Sequence, residues 1–179
     1  MSLARHIPRA TASMKAGKWE KSKLEGRELA DKTLGVIGLG TIGRIVADRA
    51  QGLKMNVIGF DPVLTAERAR DVGVELVTLE EIWKRADVIT VHTPLTPQTK
   101  GLVNDEVVGK LKKGVLLVNC ARGGIYDQDA VARGLESGKI GGAAFDVYPK
   151  EPPPPDTLLL KHELVVCTPH LGASTAEAQ

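Results

Sequence analysis

The sequence predicts an α/β domain in which a doubly wound parallel sheet lies between two layers of helices. Three observations carry this expectation. Short aliphatic runs recur along the chain and alternate with helical segments, which is the spacing of βαβ units with right-handed crossovers. Aromatic residues are only 3% of a chain that is 42% hydrophobic. The core is therefore aliphatic, as when Val, Ile and Leu strands are covered on both faces. The first aliphatic run also opens into Gly38-x-Gly40-x-x-Gly43, a glycine turn between a strand and a helix.

The elements follow in order. Residues 1–17 place Leu3, Ile7, Ala10 and Met14 on one helical face, with Pro8 expected to interrupt or kink the helix. Residues 17–32 are polar and loop-like. A strand is expected over 34–38, a helix over 41–52 and a strand over 55–60. A short helix over 65–71 and a short strand over 75–77 come next. Thr78-x-x-Glu81 is a capping box opening a helix to about Ala86. A strand over 88–91, a helix over 104–111 and a strand over 115–118 follow. The last elements are a helix over 127–137, closed by Gly138, and strands over 142–147 and 164–167. The proline run 152–155 is expected to be stiff and extended; a proline-rich docking motif is its alternative.

A chain of 179 residues suits one domain with a sizeable core. The net charge of +2 is too small to argue for a nucleic-acid or membrane partner. No apolar stretch approaches spanning length and no signal-peptide pattern opens the chain, so a cytoplasmic protein is expected. Cys120 and Cys167 end apolar runs and show no metal-like spacing; they are read as two reduced, mostly buried thiols. No metal site is expected.

The glycine turn has a physical reading. Gly38 allows the tight turn, Gly40 lets a diphosphate approach the backbone, and Gly43 lets the helix pack on the strand. The helix N-terminus offers free N–H groups and a partial positive charge. Asp61 stands eighteen residues beyond Gly43, at the end of the next strand. There a carboxylate can accept both ribose hydroxyls and repel a 2′-phosphate. The pattern is a Rossmann-type fingerprint for NAD rather than NADP; a glycine-rich turn that binds nothing is the alternative.

In an open α/β sheet, ligands sit at the C-terminal ends of the strands. The residues expected there are Gly38–Gly43, Asp61-Pro62, Thr93-Pro94, Cys120-Ala121-Arg122, Asp146 and His170. The Arg122 guanidinium fork suits a carboxylate with its neighbouring carbonyl or hydroxyl; a surface Arg paired with an acid is the alternative. His170 is suited to proton transfer near neutrality, and on its own reads equally as a structural histidine. Glu151 would fix its tautomer if the two meet. Asp146 could accept a hydrogen bond from a nicotinamide carboxamide. His6, His92 and His162 have weaker claims.

The segments KTLGVIGLGTIG, VHTPLTPQTKGLVN, LLVNCARGGIYD, GGAAFDVYPKEPP and TPHLGASTAEAQ together resemble the D-2-hydroxyacid dehydrogenase family, over nearly the whole chain. The resemblance implies that Arg122 binds the substrate carboxylate and that His170, paired with Glu151, is the general acid/base. It implies a cofactor site lined by Gly38, Gly40, Thr41, Ile42, Gly43, Asp61, Pro62, Thr93, Pro94, Cys120, Ala121, Arg122, Asp146, His170, Leu171, Gly172 and Ala173. The N-terminal stretch and the HLGASTAEAQ ending resemble the branch that oxidises 3-phosphoglycerate at the entry to serine biosynthesis. A glyoxylate or hydroxypyruvate reductase, or an NAD-sensing corepressor built on the same fold, are the alternatives. Family members also dimerise through this domain.

Two departures bear on function. Position 41 is Thr where relatives often carry Arg, which removes a diphosphate contact contributing ~1–3 kcal/mol when buried and less in an open groove. NAD binding is therefore expected to be weaker. Family members also place substrate-domain residues before the equivalent of Met1 and after that of Gln179. The chain by itself is expected to bind NAD(H) with little or no turnover.

Overall fold

The computed structural model describes residues 1–178. Seven parallel strands form one sheet in the order β3-β2-β1-β4-β5-β6-β7. They are β1 (Thr33–Ile37), β2 (Asn56–Phe60), β3 (Glu75–Leu76), β4 (Val88–Val91), β5 (Val115–Asn119), β6 (Ile140–Phe145) and β7 (Val165–Cys167). The order reverses between β1 and β4, which creates the crevice of a doubly wound sheet.

The helices are α1 (Ile7–Lys15), α2 (Thr41–Gly52), α3 (Ala66–Asp71), α4 (Leu79–Arg85), α5 (Asp105–Lys110), α6 (Gln128–Glu136) and α7 (Leu158–Lys161). Local chemistry starts several of them. Thr65 and Asn104 cap α3 and α5, Asp127 caps α6 through two backbone N–H groups, and Thr78 with Glu81 forms the expected capping box of α4.

The core forms on both faces of the sheet. Leu34 and Val36 of β1 join Val57, Ala47, Ala50 and Ala69 in one cluster under α2 and α3. On the opposite face a Cβ on Gly35 would meet Ile82 at 2.7 Å and Ala86 at 3.1 Å, so α4 packs directly on the backbone of β1. Ile37, Ile82, Trp83, Ile89, Leu117 and Ile140 belong to the larger second cluster.

Several boundaries differ from expectation. Pro8 does not kink α1 but sits in its first turn, where an N–H has no intrahelical acceptor and proline costs nothing. Ile7 and Met14 are exposed, so the apolar stripe read in 1–17 is not buried within the chain. β6 runs from 140 to 145 rather than 142 to 147, because Ile140 pairs with Val115 ahead of a register shift. The 3₁₀ turn at Lys21–Lys23 lies in the segment read as polar loop, and the short helix α7 in a stretch to which the sequence reading gave no element.

Register brings the strand ends into line. Phe60, Ile37, Val91, Asn119, Phe145 and Cys167 form one row across six strands. The next residue along each strand, namely Asp61, Gly38, His92, Cys120, Asp146 and Thr168, therefore stands on one rim. Among the described residues, no helix is long and apolar enough to cross a membrane.

Candidate cofactor and substrate site

Gly38 turns the chain out of β1. Its φ is 91°, its N–H donates to the Phe60 carbonyl at 2.8 Å, and a Cβ would stand 2.6 Å from the His92 carbonyl oxygen. Only glycine meets these demands together. A Cβ on Gly43 would come within 1.9 Å of the Gly38 carbonyl oxygen, so α2 rests on that turn. Gly40 is exposed, with nothing within 4 Å of where its Cβ would be. It leads α2 without a side-chain cap, and the first turn (Thr41, Ile42 and Gly43) contains no acid. The positive end of α2 and its unpaired N–H groups are thus left for an external anion.

Asp61 is held beside this turn by backbone donors. Leu39 N–H donates to Oδ2 at 2.8 Å, and Val63 and Leu64 donate to Oδ1 at 2.9 and 3.0 Å. Partial burial opposes ionisation of Asp61. The N–H groups of Val63, Leu39 and Leu64 and the charge of Arg44 outweigh it and hold the carboxyl below its usual range. The sequence reading had the carboxylate accept hydrogen bonds from both ribose hydroxyls. The structure commits Oδ1 to its own turn and leaves the remaining acceptor capacity on Oδ2.

Thr93 packs beside Gly38, and its hydroxyl oxygen is buried with no hydrogen-bond partner. An orphaned hydroxyl against a glycine turn marks a place that a ligand completes. Pro94 follows it, exposed. Open glycine backbone, an uncapped helix, a fixed carboxylate and an orphaned hydroxyl together fit a dinucleotide.

Farther along the rim, Asn119 ends β5 at 1% exposure. Its Oδ1 accepts from Ala121 N–H at 3.1 Å and its Nδ2 donates to the Arg122 carbonyl at 3.0 Å. Arg122 itself is exposed, with one guanidinium N–H on the Ala121 carbonyl at 2.6 Å. Cys120 is exposed and Cys167 half-buried. This corrects the expectation of two mostly buried thiols: the apolar strand ends one residue earlier, at Asn119.

Asp146 is buried and binds the segment that carries His170. Its Oδ1 accepts from Thr168 Oγ1 at 2.6 Å and Leu171 N–H at 2.7 Å, and its Oδ2 from Gly172 N–H at 2.8 Å. Burial opposes its charge, but Thr168, Leu171, Gly172 and nearby His170 together lower its pKa. The clamp holds His170 at a φ of 55°, a left-handed backbone uncommon outside glycine.

His170 Nδ1 then lies 2.8 Å from Glu151 Oε2, so the structure brings together the two residues that the family resemblance pairs and that the residues by themselves left open. Glu151 Oε1 accepts from Tyr148 N–H at 3.0 Å, and the Tyr148 hydroxyl donates to the Thr168 carbonyl at 3.1 Å. Hydrogen bonds from His170 and Tyr148 keep the Glu151 carboxyl below its usual range. A carboxylate on Nδ1 fixes the ring and leaves Nε2 as the nitrogen that exchanges protons.

The other histidines are accounted for locally. His6 Nε2 meets the Glu25 carbonyl, His92 meets Thr90 Oγ1, and His162 Nδ1 accepts from Leu164 N–H. Among the described residues, no group of three or more His, Cys, Asp or Glu is placed to hold a metal ion. The sequence reading missed Asn119 and Tyr148. The one available signal was a polar residue closing an aliphatic strand immediately before the Ala-Arg pair.

Fold and rim together define the dinucleotide-binding domain of an oxidoreductase. The chain belongs to the family described as D-isomer specific 2-hydroxyacid dehydrogenase, NAD binding domain, whose model matches residues 1–172. It is 57% identical over 179 residues to a D-3-phosphoglycerate dehydrogenase of Homo sapiens, covering 100% of this chain and 33% of that protein. It is 55% identical over 178 residues to one of Bacillus subtilis, covering 99% and 34%. The chain thus spans about a third of these relatives. Among solved structures, a D-lactate dehydrogenase of Escherichia coli superposes with a TM-score of 0.89 at 36% identity, covering 99% of this chain and 55% of that one. An NAD-dependent formate dehydrogenase of Staphylococcus aureus in complex with NAD gives 0.91 at 32% identity, covering 99% and 53%.

The carboxylates give a pH dependence. Asp61, Asp87 and Asp146 all have lowered pKa values in the folded chain. Their contribution is complete above the unfolded value of about 4 and is lost as pH falls through the lower folded values. Burial lowers the pKa of His92, so the unfolded chain takes up a proton that the folded chain resists. Thermal stability followed by circular dichroism is expected to weaken gently from pH 7 to about pH 5 and more steeply below about pH 4 as the carboxylates protonate. Asp146→Asn is expected to lower the stability at neutral pH and make the acid decline shallower.

Proposed function

We propose that this chain is the NAD(H)-binding part of an enzyme that oxidises 3-phosphoglycerate to 3-phosphohydroxypyruvate, in L-serine biosynthesis. The observation that carries the reading is the His170–Glu151 pair at 2.8 Å, on the same sheet edge as the glycine turn and Arg122. The match to D-3-phosphoglycerate dehydrogenases along the whole chain supports the substrate.

When bound, NAD supplies the hydride acceptor. The chain's own residues do the rest. The first turn of α2, from Thr41 to Gly43, takes the diphosphate; Asp61 takes the adenosine ribose; Thr93, Pro94, Cys120 and Ala121 line the middle. Asp146 and the 170–173 segment border the nicotinamide end, where Asp146 Oδ2 retains acceptor capacity for a carboxamide. Arg122 turns its planar fork to the substrate carboxylate. His170 Nε2 takes the C2 hydroxyl proton, and Glu151 stabilises the imidazolium that forms. Substrate-phosphate contacts and one wall of the cleft belong to parts of the protein outside these residues, so the chain alone binds cofactor without sustained turnover.

A second reading, a related reductase of glyoxylate or hydroxypyruvate, draws on the likeness to other 2-hydroxyacid dehydrogenases. An NAD-sensing corepressor has less support, because Arg122, Glu151 and His170 are all present with the pair formed. The free thiols suit a reducing compartment, and we assign the protein to the cytoplasm.

The domain also presents a homodimer surface. Val118, Ala144 and Val166 make a half-exposed apolar row on β5, β6 and β7. Leu3 packs near Gly142 on that face, while Ile7, Met14 and Trp19 are exposed. A second copy is the occupant we propose.

Three measurements test this reading. Calorimetry of the chain should show NADH binding with NADPH much weaker, and Asp61→Ala should erase that preference; equal binding of both by the unaltered chain defeats the assignment of Asp61. The full-length protein should form NADH from 3-phosphoglycerate at a kcat/KM at least about 100-fold above that for oxidising other 2-hydroxyacids such as glycerate. A preference for glyoxylate or hydroxypyruvate reduction favours the second reading. Sedimentation should give a dimer that Val166→Asp converts to monomer; a monomer in both defeats the dimer.

A further inference from the structure

The Arg122 loop is fixed by a side chain to which no role in the reaction has been given. Asn119 is buried at the end of β5, and its amide is used in both senses: Oδ1 accepts from Ala121 N–H, and Nδ2 donates to the Arg122 carbonyl. Its backbone carbonyl accepts from Asp146 N–H at 3.0 Å. One residue therefore ties the peptide before Ala121 and the peptide after Arg122, and joins them to the strand whose next residue holds the His170 segment. Arg122 is exposed, and among the described residues its guanidinium hydrogen-bonds only the adjacent Ala121 carbonyl.

We propose that Asn119 is a positioning residue for Arg122: it sets the direction in which the guanidinium leaves the rim, and so the affinity for a 2-hydroxycarboxylate. The inference rests on the reading of Arg122 as the carboxylate-binding group. The chemistry is selective for an amide. Aspartate has the same shape but no donor for the Arg122 carbonyl, and places like charge against it. Alanine leaves both peptide groups without partners, and a buried unpaired polar group is costly.

The test uses the full-length protein and a ligand-binding readout that turnover does not limit. 3-Phosphoglycerate is titrated calorimetrically into the enzyme–NADH complex, where both partners are already reduced. Asn119→Ala and Asn119→Asp are each expected to weaken 3-phosphoglycerate about tenfold, the scale of one or two net hydrogen bonds. NADH affinity should fall by several-fold less than that of 3-phosphoglycerate, since Ala121 is one of many groups lining the cofactor whereas Arg122 alone grips the carboxylate. Arg122→Lys, which keeps the charge and loses the fork, should weaken binding by at least as much.

In the Arg122→Lys background, Asn119→Ala should add less than about twofold, because residues acting through one group are not additive. Full additivity, or unchanged 3-phosphoglycerate affinity in both Asn119 variants, overturns the proposal. So does loss of the fold or of NADH binding in both, which would make Asn119 a folding residue. An Arg122→Lys protein that binds 3-phosphoglycerate normally overturns the reading of Arg122 instead.

Discussion

Parallel pairing in register is the constraint on which the rest of the molecule depends. Ile37 pairs with Phe60 on one side and Val91 on the other, and the row continues through Asn119 and Phe145 to Cys167. Each strand leaves the sheet at that row. Residues more than a hundred positions apart in sequence, such as Gly38 and Asp146, come to stand along one edge. Strand pairing fixes the rim; loops beyond it only set how far each side chain reaches. The close packing of α2 on Gly38 and of α4 on Gly35 holds that edge between two rigid layers.

The rim is built by carboxylates and amides that bind backbone. Asp61 receives three N–H groups; Asp146 receives two N–H groups and a hydroxyl. Asn119 takes one N–H and gives one to a carbonyl. Loops leaving a sheet edge carry donors with no ladder partner, and such groups are satisfied by side chains when water is excluded. A residue that satisfies them also fixes the loop, so functional orientation and backbone satisfaction are the same event here. The left-handed His170 is one result, since the two N–H groups that follow it both point to Asp146.

Much of this was legible in the residues. Periodicity and capping chemistry located α2 and β4 to the residue and the capping box at Thr78, because each depends on local sequence. The glycine fingerprint marked the turn and the residues around it for the same reason. What stayed hidden depended on long-range pairing. The register shift beside Val115 moved β6 by two residues. The Glu151–His170 contact was implied by the family resemblance but not by the residues themselves, because it needs the ends of β6 and β7 to be adjacent. The amide of Asn119 has partners only two and three residues away, but its burial comes from the strands packed around β5 and was not visible along the chain. The Pro8 error was one of position: proline breaks a helix in its interior and suits its first turn.

With Asp61 proposed to select the cofactor, its three backbone bonds tie that choice to local architecture. A protein engineer seeking a variant that accepts a 2′-phosphate would first replace this aspartate with a small or basic residue. That change strips the acceptor from Leu39, Val63 and Leu64 at once and loosens the junction between β1, β2 and α3. Redesign toward NADP therefore needs a surrogate acceptor for those three amides, supplied from a rebuilt 61–65 loop. Exchanging one charge for another at position 61 would leave the new pocket without walls.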